Sequence, residues 1–152
     1  MKVTKMKINL VLFLKIAIAI ASIIAADRIV KTFAQGCNFL FCIKRSINYG
    51  AAFGLFPAMT ALFIVVAIIM ILLMIFFLYN TKSTLLQVAL TLIIGGTTAN
   101  LIDRIVYGYV IDVISLNFIF FPSFNIADIA NITGALLLFI FLLKPRKKLQ
   151  AR

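Results

Sequence analysis

PAMTALFIVVAIIMILLMIFFL, residues Pro57–Leu78, decides the fold. It runs twenty-two positions without a charged side chain. At about 1.5 Å per helical residue that is enough to cross about 30 Å of hydrocarbon. It is apolar all round, so a helix made of it has no face to offer water. Pro57 suits a first helical turn, where a missing N–H leaves no bond unmade. Three further runs are of the same kind: Ile8–Ala26, Leu85–Leu101, which is shorter and rich in small residues at its end, and about Asn125 to Leu143. Asn80-Thr81-Lys82-Ser83 is a tight polar turn, which makes the second and third helices antiparallel neighbours. The expectation is an all-α membrane protein, with residues 1–152 forming a single four-helix membrane domain.

Composition agrees. Of 152 residues, 64% are apolar and 12% charged, where a soluble domain carries about 25% charged residues. That excludes a cytosolic enzyme, a secreted disulfide scaffold and a disordered tail. There is no His, Trp or Glu, and the acids are Asp27, Asp103, Asp112 and Asp128. Without His no Ser-His-Asp arrangement can be assembled, and with only two Cys a dedicated zinc site is not expected, nor is any other metal or cofactor. The net charge of +11 does not point to nucleic acid, because the basic residues flank apolar runs. The two ends and the Lys82 turn hold nine Lys and Arg, against five in the other two connections. The positive-inside rule then puts both termini in the cytoplasm. Lys15, inside the first run, reads as snorkelling to the inner surface.

The first run, with basic residues before it and Ala25-Ala26 at its end, also has the outline of a cleavable signal peptide. It is longer than the usual apolar region of about 7–15 residues, and is read as a span. The outer connections, 27–56 and 102–124, are too short to bury cores of their own and must fold against the membrane surface. Phe39–Ile43 and Val110–Ile114 are β-branched or aromatic and are expected to be strand-like. Cys37 and Cys42 form either a disulfide or two free thiols.

An ionisable residue near a membrane segment is costly and is a functional candidate by default. Gly96, Asn100, Asp103 and Arg104 share one helical face. Their plainest reading is a small-residue packing seam ended by an Asp–Arg pair. Asn125 and Asp128 share another face at the start of the fourth run, where a carboxylate suits the helix dipole. Asp112 lies between apolar neighbours in Val110-Ile111-Asp112-Val113-Ile114. Asp112 and Asp128 are sixteen positions apart, enough for a loop to return and bring them together. Two facing carboxylates share a proton. One can then take a proton from water while the other protonates a carbonyl oxygen, which is amide hydrolysis without His or metal.

Several stretches together resemble the lipoprotein signal peptidase (signal peptidase II) family. Asn48-Tyr49-Gly50-Ala51-Ala52-Phe53 resembles its Asn-x-Gly-Ala-Ala-Phe motif. Gly95-Gly96-Thr97-Thr98-Ala99-Asn100-Leu101-Ile102-Asp103-Arg104 resembles its Gly-Gly-x-x-Gly-Asn-x-x-Asp-Arg stretch. Val110-Ile111-Asp112 and Phe124-Asn125-Ile126-Ala127-Asp128 resemble its two catalytic motifs, and Asp27 with Lys31 its Asp-x-x-x-Lys signature. The resemblance implies an intramembrane aspartyl endopeptidase of the prokaryotic cell membrane. Its substrate would be a diacylglyceryl-modified prolipoprotein, presented from membrane lipid and cut just before the modified cysteine. It implies Asp112 and Asp128 as the catalytic pair, with Asn48, Asn100, Arg104 and Asn125 orienting substrate or dyad. Asp27, Lys31 and Asp103 would form a structural polar network. It also implies a small β-cradle and a lid-like segment on the outer surface. Ala99, Val113 and Ile129 replace the family's usual Gly, Phe and Ser, which bears on substrate preference.

The main rival is a small transporter or ion-conducting protein using membrane aspartates. Four short helices with no inverted repeat leave little room for alternating access.

Overall fold

A computed structural model describes residues 10–34, 41–50, 59–116 and 121–144. Cys37 and the Cys42 side chain lie outside the described residues, as do the basic ends and residues 51–58 and 117–120. The elements run α1 (Leu10–Phe33), β1 (Phe41–Asn48), α2 (Thr60–Asn80), α3 (Thr84–Tyr107), β2 (Val110–Leu116) and α4 (Ile126–Leu143). All four helices are long and apolar enough to cross a membrane.

Two helices outrun their apolar stretches. α1 continues past Ala26 to Phe33, and α3 past Leu101 to Tyr107. Both extensions are polar, and each supplies what the other lacks, because Arg28 and Lys31 of α1 meet Asp103 of α3. α1 ends where the Arg45 Nε–H of β1 donates to the Lys31 carbonyl at 2.8 Å, a cation at a helix C-terminus. α3 begins at Ser83, whose hydroxyl accepts the Leu86 N–H. It ends at Gly108, whose φ of 80° is a left-handed cap that side chains disfavour.

α3 packs against each of the other three helices, and half of its apolar window is buried. Between helices in lipid there is little hydrophobic drive, so association depends on close packing. The small residues of α3 and α4 supply it. A Cβ added to Gly96 would stand 2.4 Å from the Ala127 carbonyl oxygen, and one added to Gly134 would stand 2.7 Å from that of Ala89. Leu78, Leu90 and Ile94 form the buried apolar cluster between α1, α2 and α3. Most large side chains of α2 remain exposed, a surface suited to lipid.

The two strands pair antiparallel, with Asn48 opposite Val110 and Phe41 opposite Leu116. The register shifts between Ile43, opposite Ile114, and Ser46, opposite Asp112, so that β1 spends two residues where β2 spends one. This bulge bends β1 beside the residue that caps α1. The sheet sits at the end of the bundle where α3 finishes and α4 starts.

Candidate active site

Asp112 and Asp128 meet because the chain doubles back after β2. Phe124 forms an antiparallel bridge with Ile114, their N–H groups donating to each other's carbonyls at 3.0 and 2.9 Å. The hydroxyls of Ser115 and Ser123 lie 2.7 Å apart across the same return. Asn125 therefore emerges beside Asp112 and starts α4.

Asn125, fully buried, joins the two acids. Its Nδ2 donates to Asp112 Oδ1 at 2.8 Å, and its backbone N–H donates to Asp128 Oδ2 at 3.1 Å. Its own Oδ1 accepts the Asp128 N–H at 2.8 Å, completing a capping box. Each acid has a second amide donor. Asn48 Nδ2 reaches Asp112 Oδ2 at 3.0 Å, and Asn100 Nδ2 reaches Asp128 Oδ1 at 2.8 Å. Two acceptor sites on each carboxylate are thus occupied of about four, leaving capacity for water or substrate. Burial pushes the Asp112 carboxyl up to about 6. The Asn48 amide opposes that rise and the charge of Asp128 adds to it.

Both acids, with Asn48, Asn100 and Arg104, line a cavity of about 540 Å³ whose remaining wall is mostly apolar, including Phe121, Phe124 and Ile132. Among the described residues, no group of three or more Cys or Asp side chains is arranged to hold a metal ion.

Asp103 and Arg104 do not form the neighbouring pair that their spacing invites. Arg104 donates to the Gly50 carbonyl at 3.0 Å and stacks over Phe63, fixing the turn after Asn48. Asp103 faces the other way, to Lys31 Nζ at 2.6 Å and Arg28 Nη2 at 2.8 Å. The single face read from α3 is therefore two, with Gly96 and Asn100 against α4 and Asp103 against α1. The physical reason is supply: α1 brings two cations to one buried carboxylate.

Lys31 also pairs with Asp27 at 2.6 Å, and all three side chains of this triad are at most 1% exposed. Asp27 Oδ1 accepts the N–H of Ala127, and Asp103 Oδ2 accepts that of Ile111, each at 3.1 Å. These are the residues immediately before Asp128 and Asp112. Sequence reasoning missed Arg28 as a partner of Asp103. Its position one residue after Asp27, and three before Lys31 on the same helix, was the available signal. It also missed Asn131, a polar residue three positions after Asp128 that lines the cavity and accepts the Thr97 hydroxyl at 3.2 Å.

Comparison with known proteins agrees with this architecture. The lipoprotein signal peptidase of Halothermothrix orenii is 43% identical over 101 residues, covering 66% of this chain and 68% of that protein. The lipoprotein signal peptidase of Lactobacillus johnsonii is 36% identical over 134 residues, covering 80% and 86%. A bacterial membrane enzyme solved by the in meso method at 2.3 Å superposes with a TM-score of 0.79 at 25% identity, covering 91% of this chain and 93% of its own. The family model for signal peptidase (SPase) II matches residues 15–144, and the chain belongs to that family.

Proposed function

We propose that this protein removes signal peptides from prolipoproteins as an intramembrane aspartyl endopeptidase, cutting before the diacylglyceryl-modified cysteine with Asp112 and Asp128 as its catalytic pair. Family membership supports the coarser statement, signal-peptide removal from prolipoproteins. The observation that carries the finer one is Asn125, which hydrogen-bonds both carboxylates at one cavity wall.

A water between the acids loses a proton to the ionised carboxylate as its oxygen adds to the scissile carbonyl carbon. The other, protonated carboxyl gives its proton to the carbonyl oxygen. In collapse the amide nitrogen takes a proton from the dyad and the C–N bond breaks. The signal peptide leaves with a new carboxyl and the lipoprotein with a free amine on its cysteine. Asn48, Asn100 and Asn125 hold the carboxylates in orientation, and Arg104 holds the turn that carries Asn48. The cavity's apolar wall gives the acyl chains a site, each buried CH₂ contributing about 0.8 kcal/mol.

The test is incubation of purified protein with a diacylglyceryl-modified prolipoprotein, followed by mass measurement. Cleavage before the modified cysteine is expected. It should be abolished in Asp112→Asn and in Asp128→Asn, each of which keeps side-chain size and remains folded but loses the exchangeable proton. Robust turnover by either variant would refute the dyad.

A further inference from the structure

α3 and α4 are joined by two polar rungs, and only the outer one belongs to the dyad. Asn100–Asp128 is the outer rung and Thr97–Asn131 the inner, three residues further along α4, or about 4.5 Å deeper into the bundle. Asn131 lines the same cavity as the two acids, beside Ile132. Its Oδ1 accepts from Thr97. Its Nδ2 has no hydrogen-bond acceptor among the described residues.

A rung that only glued the helices together would need the oxygen alone. The amide instead keeps two N–H donors, unmatched among the described residues, on a residue that lines a largely apolar cavity, where an unmatched polar group is costly. The substrate has the opposite deficit. A peptide must leave its helix before its amide can be attacked, and an unwound segment inside the membrane carries carbonyl oxygens that nothing satisfies. The segment before the scissile bond is the membrane-embedded one, so from the dyad it runs inward, past Asn131.

Resting on the function proposed above, we infer that Asn131 is a substrate-binding residue whose side-chain amide donates to a backbone carbonyl of the unwound signal segment, a few residues before the cleaved bond. The other carbonyl within reach of this cavity is an ester of the diacylglyceryl group, which offers the same acceptor chemistry.

Cleavage kinetics of a lipidated prolipopeptide separate these cases. Asn131→Leu puts an apolar side chain of similar size in its place and should raise KM about tenfold with kcat nearly unchanged, the pattern of a lost binding contact. Thr97→Val breaks the same rung without removing the spare donor, and should leave KM within about twofold. With wild-type enzyme, replacing the peptide carbonyls before the scissile bond one at a time by thioamides should lower kcat/KM about tenfold at a single position. Asn131→Leu should show no further loss with that substrate. If an ether-linked glyceryl substrate abolishes the difference between wild type and Asn131→Leu instead, the acceptor is the lipid ester. Equal effects of Thr97→Val and Asn131→Leu would reduce Asn131 to helix packing and overturn the inference. So would a thioamide series without a sensitive position combined with an insensitive ether substrate. The thioamide series needs no enzyme variant, and cleavage by wild-type enzyme reports separately on the proposed reaction.

Discussion

Ile111 donates its backbone N–H to Asp103 Oδ2 at 3.1 Å, one residue before Asp112. On α4, Ala127 makes the matching bond to Asp27 Oδ1, one residue before Asp128. Lys31 lies 2.6 Å from both supporting carboxylates. One buried cation on α1 therefore steadies the backbone under each acid of the pair.

Lys31→Met should be severely destabilising. It leaves Asp27 and Asp103 buried together, with only Arg28 as a cation, and breaking a buried ion pair costs about 3–5 kcal/mol. Arg28→Ala should cost under about 1 kcal/mol, because the Arg28 side chain is 34% exposed and Lys31 remains. Thermal unfolding of both variants in one detergent checks the order, and equal melting points would contradict it.

Hydropathy makes the four spans legible, because about 20 uncharged apolar residues have few other uses. It cannot see where α1 stops. Asp27, Arg28 and Lys31 look like a connection when read alone, and become helix only because Asp103 lies 72 positions from Lys31 in sequence and beside it in space. The bulge at Lys44 and Arg45 is hidden for a similar reason: register depends on the partner strand. In the candidate site, motif resemblance named Asp112, Asp128 and the asparagines that the structure brings onto them. Asn131 matched no motif and sat in an apolar run, so its place on the cavity wall emerged only from the packing of α3 on α4.

Gly96→Ala should impair activity more than stability. A Cβ there meets the Ala127 carbonyl at 2.4 Å, and backbone cannot step aside as a side chain can. α4 must shift, which costs about 1–3 kcal/mol and moves Asp128 relative to Asn100. A fall in kcat/KM of more than about tenfold is expected, since small misplacements of catalytic groups are costly. Gly108→Ala is the control. It strains a φ of 80° in open space for about 1 kcal/mol and should leave turnover unchanged. Similar rate losses in both would mean that the α3–α4 spacing does not matter.

The basic residues predict sidedness. In a Cys37→Ser, Cys42→Ser background, a cysteine at Tyr49, which is exposed beside the sheet, should react with an impermeant reagent in whole cells. A cysteine at Lys82, in the turn between α2 and α3, should react only after the cells are opened. The reverse pattern would invert the topology.

The pH dependence of cleavage should carry the signature of Asp112. Its carboxyl stands at about 6 instead of 3.8, mainly because burial disfavours the charged form. Between those values the folded protein holds a proton that the unfolded chain releases. The group therefore lowers stability as pH rises through that window, and Asp112→Asn should remove that slope. On the proposed mechanism that proton is the one shared by the pair, so activity should fall at high pH as it leaves and at low pH as a second proton binds. These limbs belong to the pair and not to either acid. For free enzyme, read in kcat/KM, the upper limb should lie above the ordinary carboxylate range, and in kcat higher still, because bound substrate displaces water and deepens the desolvation. Asn48 supplies the decisive variant. Its amide donates to Asp112 Oδ2 at 3.0 Å and favours the ionised form, so Asn48→Leu should move the upper limb to higher pH. Initial rates against pH, with lipidated substrate at fixed detergent, measure it. A limb that stays in place or moves down in Asn48→Leu would mean that the Asp112 proton does not control the rate.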